Sequence, residues 1–165
     1  MSRSGYSDDC EGLELWRGAV ASAIRGKRGQ TALKELAVAM DAMPDKTLAA
    51  ESLVTEDGEF CTLGVLGQAR GLNMNPLDPE DWDAVARAFN IAPAMVREIV
   101  YENDEGISPY KWVDVEICGP VRPYYPDYGR HTRTVRVDIS AETLAAERWT
   151  RMRQWVEANL IKESK

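Results

Sequence analysis

Between Gly119 and Val137 the chain carries Arg122, Arg130, Arg133 and Arg136 against Asp127 alone, a local balance of +3 inside a chain of net charge −7. Tyr124, Tyr125 and Tyr128 stand among these cations, with Pro120, Pro123 and Pro126 between them. Tyrosine and arginine dominate binding hot spots, and proline lowers the entropy lost on docking. Arg122, Tyr124, Tyr125, Tyr128, Arg130 and Arg133 are therefore the candidate partner-binding residues. The same tyrosines could stack single-stranded bases, or pack on the body with no partner at all.

The remaining chemistry-bearing residues are sparse. Cys61 stands where a helix could open, a position that lowers a thiol pKa, but no His or Asn lies near it in sequence. Cys10, Cys61, Cys118 and His131 have the right types for a zinc site, yet no two cysteines are spaced C-x₂-C. Glu102-Asn103-Asp104-Glu105-Gly106 is acidic but lacks the alternating oxygens of a calcium loop, so it reads as a solvated helix end. No phosphate-cradling glycine loop, G-x-S-x-G or H-E-x-x-H occurs. The expectation is a non-enzymatic protein with no catalytic residues, no cofactor and no metal.

Asp83–Val100 fits a helix-turn-helix pattern, with Ala86 at the helix crossing and Asn90 at the turn. Val85, Phe89, Ile91, Val96 and Ile99 would fill its core. From Pro93 to Glu105, however, Arg97 stands against Glu98, Glu102, Asp104 and Glu105. A recognition helix needs cations near phosphate, so a structural helix pair is the better reading.

The elements that must position these residues follow from periodicity. Ser7 to about Arg28 is an amphipathic helix on Leu13, Trp16, Val20, Ala23 and Ile24, stopped by Gly29. Thr31–Met43 is a second, ended by Pro44. Leu53–Thr55 and Glu59–Cys61 form a small hairpin with Asp57-Gly58 at its tip. Leu63–Ala69 is a short helix whose Gly64 and Gly67 let another backbone approach. Asp78 caps a helix beginning at Pro79 and running to Phe89, and Pro93 starts one ending near Asn103. Lys111–Cys118 and Thr132–Ile139 alternate as strands of a long hairpin, with Trp112, Val113, Val115 and Ile117 facing Val135, Val137 and Ile139. Ser140 caps a last helix on Ala145, Trp149, Met152, Val156 and Leu160. Trp16, Trp149 and Trp155 should share a core between the first and last helices. The fold class is mainly α: a compact helical domain over 1–165, with a small internal β-hairpin and a long β-hairpin inserted at 108–140.

Composition bounds the rest. At 165 residues, 44% apolar and 28% charged, the chain has one domain's worth of globular sequence. The acidic balance argues against a coat on nucleic acid or anionic membrane. No apolar run approaches the ~20 residues of a membrane span, and no apolar signal segment follows Met1. Three scattered cysteines fit reduced thiols of a cytoplasmic protein.

The chain resembles a family of small uncharacterised bacteriophage and prophage proteins. The likeness is carried by Ser2-Arg3-Ser4-Gly5-Tyr6-Ser7-Asp8-Asp9, Trp16-Arg17-Gly18, Ala23-Ile24-Arg25-Gly26-Lys27-Arg28-Gly29-Gln30, Asp57 to Gly64, Asp78 to Asp81, Glu98 to Glu105 and Arg148 to Val156. It covers nearly all of 2–106 and 141–160. The chain departs from it at Ser108–Ser140, where a short connection would be usual. The resemblance carries no settled activity. It implies an accessory protein acting in the bacterial host cell on a host or phage protein, inhibition of a defence system included. An acidic body could also occupy a basic site by mimicking nucleic acid. The alternative is a nucleic-acid-binding regulator using 83–100 or the Tyr/Arg tip.

Overall fold

The computed structural model describes residues 4–6, 13–116 and 132–162. Helix α1 (Leu13–Arg25) buries Val20 and Ile24, with Trp16 half-buried on the same stripe. Its break from α2 (Lys27–Ala42) is a single extended residue, Gly26, at φ −64° and ψ 155°. The expected stop at Gly29 is thus three residues late, and Lys27–Gln30 form the first turns of α2 rather than a linker. Gly29 serves another purpose: a Cβ there would overlap the Ala23 carbonyl oxygen, so the two helices meet closely only because it is bare. Gln30 donates to the carbonyls of Ile24 and Asn159, both at 2.9 Å, tying this junction to the end of the last helix. Gly29, Ala32, Leu33, Leu36, Ala37 and Met40 make the buried face of α2. Met43 leaves the helix at ψ 132°, as the residue before Pro44 must.

The small internal hairpin is reduced to one bridge, Val54 to Phe60, closed by Thr55 N–H on the Glu59 carbonyl at 2.8 Å and turned at Gly58, φ +83°. Helix α3 (Thr62–Ala69) follows. Gly64 lies against the Leu53 carbonyl, the backbone approach expected of it, whereas Gly67 meets the side chains of Met74 and Phe89 instead of a backbone.

Helix α4 (Trp82–Phe89) starts later than Asp78-Pro79 implied. Asp78 instead accepts from Glu80 N–H at 2.9 Å in a local turn, and Asp81 caps the helix through Ala84 N–H at 2.9 Å. Asn90 takes the left-handed turn position, φ 48°, before α5 (Pro93–Val100). Val85, Ala86, Phe89, Ile91, Val96 and Ile99 are all buried. A π turn, Tyr101–Glu105, continues α5. Strands β1 (Tyr110–Glu116) and β2 (Thr132–Asp138) pair antiparallel, and Ser140 caps α6 (Ala141–Asn159) through Thr143 N–H at 3.2 Å.

One core joins α1 to α6, with Met152 and Val156 of α6 fully buried. Helix α6 packs on α2 and the π turn, while α1 packs on α2 and α5. Trp16, Trp149 and Trp155 all border this one core, while α1 and α6 each pack mainly on other elements. The three tryptophans are half-buried.

A candidate protein-binding arm

Strand pairing sorts the arm's side chains onto two faces, because cross-strand partners share a face and neighbours alternate. Val113 opposes Val135, Lys111 opposes Val137, and Val115 opposes Arg133. Those six make one face: four valines with a cation at each of two diagonal corners. The other face holds Tyr110, Trp112, Asp114 and Glu116 against Asp138, Arg136, Thr134 and Thr132. Trp112 thus lies opposite to Val113 and Val115, not with them as the expected apolar set had it.

The two faces are unequal. On the polar face Arg136 pairs with Asp138 at 2.9 Å and stacks 4.1 Å from the Tyr110 ring centroid, while Thr134 donates to Asp114 at 2.6 Å. Trp112 meets Tyr110 edge-on at 5.8 Å but stays 63% exposed. The valine face has no such internal closure. Val115 is 45% and Val137 38% exposed, and no residue of either strand belongs to the core or to the half-buried shell around it. At the arm's base Ile139 N–H bonds the Pro109 carbonyl at 2.9 Å. Lys111 and Arg133 are exposed.

Of the six residues singled out for partner binding, Arg133 lies in β2 on the valine face. Arg122, Tyr124, Tyr125, Tyr128 and Arg130 lie outside the described residues, as do Cys10, Cys118 and His131. The valine face itself was missed as a site. Its signal was present in the alternation of 111–115 and 133–137, but alternation says which residues share a face, not whether anything covers it.

The other candidates turn inward. Cys61 is buried, and its sulfur caps α3 by accepting Gly64 N–H at 3.4 Å. Among the described residues no group of three or more His, Cys, Asp or Glu could hold a metal. The acidic run 102–105 is not a solvated helix end. Glu102 pairs with Arg151 of α6, and Glu105 accepts Ser4 N–H at 2.8 Å. Asn103 is buried, accepting from Thr62 N–H (3.1 Å) and Thr62 hydroxyl (2.7 Å) and donating to the Ala49 carbonyl (3.1 Å) and Asp104 (2.7 Å). These partners are distant in sequence, so spacing could not reveal them.

Arg97, the cation a DNA-reading α5 would need, is spent on the N-terminal segment. Its guanidinium donates to the Ser4 carbonyl at 2.7 Å and the Gly5 carbonyl at 2.8 Å, and lies over the rings of Tyr6 and Trp82. Tyr6 donates to Glu98 at 3.1 Å and packs 4.0 Å from the Trp16 ring. Burial, then the Glu98 charge, pushes the Tyr6 phenol well above its usual range; burial likewise raises the Glu98 carboxyl. Among the described residues no helix is long and apolar enough to cross a membrane. No protein-family model, curated protein or solved structure matches this chain.

Proposed function

We propose that this chain is a non-enzymatic protein-binding module that presents its β-hairpin as the contact arm. One observation carries the reading: the arm has a four-valine face, Val115 and Val137 exposed and Val113 and Val135 half-buried, that no residue of the described core packs against. A lone two-stranded hairpin is marginal in water, and contiguous exposed apolar surface marks an interaction site more often than scattered single residues do. The Arg/Tyr/Pro composition of 119–137 supports the same reading by residue type. The setting drawn from the resemblance is a bacteriophage or prophage accessory protein acting in the host cytoplasm on a host or phage protein, an anti-defence role included.

The test replaces 110–138 by a two-residue Asn-Gly turn. The shortened protein should keep its helical circular dichroism. It should lose a partner that the full chain retains in a bacterial-lysate pull-down. Tyr125→Ala or Arg130→Ala should each weaken that capture by about 1–3 kcal/mol if they are hot spots. Retention of the same partner by the shortened chain would move the interface to the acidic helical body.

A further inference from the structure

The charge layout of the valine face specifies what covers it. Lys111 and Arg133 occupy diagonal corners, and the face carries no carboxylate. The carboxylates Asp114, Glu116 and Asp138 lie on the opposite face. A strand added at either edge would leave the valines bare, so the occupant must lie across the face.

Dimensions select a helix. Two paired strands make a ribbon roughly 10 Å wide, which one helix of ~10–12 Å diameter covers. Seven residues per strand give about 24 Å, the length of ~16 helical residues. A second copy of this chain is a poor occupant. Two valine faces packed together would gather two lysines and two arginines with no carboxylate. Apart from the arm, the exposed large apolar residues among those described are scattered: Val38 in α2, Tyr101 in the π turn and Ile161 beyond the end of α6.

We propose that the valine face of the arm binds an acidic amphipathic helix of a partner protein, laid along the strands with its apolar stripe on Val113, Val115, Val135 and Val137 and a carboxylate on each of Lys111 and Arg133. This rests on the arm being the contact element. The two cations stand four residues apart along the strands, about 14 Å, so the carboxylates fall some nine or ten residues apart on the helix. Such corner pairs set specificity and approach, while the valines supply the buried area.

The probe is a fluorescent synthetic helix of about 18 residues with a leucine stripe and a glutamate near each end of it, beside a twin with lysines in place of the glutamates. Fluorescence anisotropy on the full-length protein should show the acidic helix bound and the basic twin bound at least about fivefold more weakly. Lys111→Gln with Arg133→Gln should erase that preference. Arg25→Gln with Lys162→Gln, an equal charge change at exposed sites off the arm, should preserve it. Lys111→Glu with Arg133→Glu should reverse it. Equal binding of both helices, binding of neither, or an effect of the off-arm pair as large as that of the corner pair overturns the proposal. If lysate capture still depends on the arm in any of those cases, the arm remains the contact element and its occupant is of another kind. If capture does not need the arm, both readings fall.

Discussion

Asn103→Ala should be among the most destabilising single changes in this protein. The amide is 2% exposed and makes four hydrogen bonds, joining the π turn to the first turn of α3 and to the Ala49 carbonyl. Its loss leaves Thr62 N–H, the Thr62 hydroxyl and the Ala49 carbonyl without these partners, and Thr62 is itself fully buried. Each orphaned buried group costs about 1–3 kcal/mol. A cavity of about 10 Å³ beside Asn103, lined by Leu53, Cys61, Ile99 and Asp104 among others, has room for one water. One water can serve two of the three groups; the third, at ~1–3 kcal/mol, and the ordering of the water, at ~0–2 kcal/mol, leave a net cost of ~1–5 kcal/mol. Urea unfolding monitored by circular dichroism measures it, provided the m-value is unchanged. Thr62→Ala in the Asn103→Ala background should then cost less than in the wild type, with a coupling of ~1–2 kcal/mol in the double-mutant cycle. A loss below ~1 kcal/mol, or full additivity, would refute the idea that this amide closes the core.

Gly64→Ala should lower stability by ~2–4 kcal/mol, because its methyl would overlap the Leu53 carbonyl and push α3 off the bridge; a melting temperature within a degree of wild type would contradict that contact. The Arg153 guanidinium grips both oxygens of Asp41, at 2.8 and 2.9 Å, and this hydrogen bonding holds the Asp41 carboxyl below its usual value of 3.8. A depressed folded-state pKa supplies stability above the unfolded value that is lost as pH falls through the folded one. Asp41→Asn should therefore flatten part of the acid limb below about pH 4, read from unfolding free energies at stepped pH; an unchanged limb would show that the pair adds nothing. Glu98 works in the opposite direction. Its raised carboxyl favours the protonated form in the fold, so Glu98→Gln should remove a loss of stability as pH rises above 4.5, while the amide oxygen still accepts from Tyr6; the same stepped-pH series checks the sign.

Elements whose signals were local could be read from sequence. Ser140 caps α6, Asn90 turns between α4 and α5, and the strand alternation around Val113 and Val135 identified the arm. The misplacements come from residues with two uses. Gly29 has the type of a helix stop, but its lack of a side chain serves the contact with Ala23. Asp78 and Asp81 are both capping residues flanking Pro79, and nothing local decides that Asp78 takes the turn and Asp81 the cap. The π turn was illegible because Glu102, Asn103 and Glu105 act through Arg151, Thr62, Ala49 and Ser4, each at least 41 residues away. For the candidate site, the strand-borne valines were legible, but Trp112 was set among them although it lies on the other face, and the valines' lack of cover was not legible.

That bare face has a colloidal consequence. The segment 110–138 holds five cations and four anions, a charge of +1, so the remaining residues of the −7 chain carry −8. An apolar ribbon on a neutral body would pull copies together. Here every approach of two ribbons also brings two anionic bodies toward each other, and at low ionic strength their repulsion reaches ~30 Å. Added salt shortens that reach to ~8–10 Å without weakening the attraction between valines. Concentrated protein should therefore stay dispersed in dilute buffer and scatter more light as sodium chloride is raised, and Val115→Ser should blunt the rise. On this view the carboxylates outside the arm, most of them between the α-helices rather than on them, act as the arm's own dispersant.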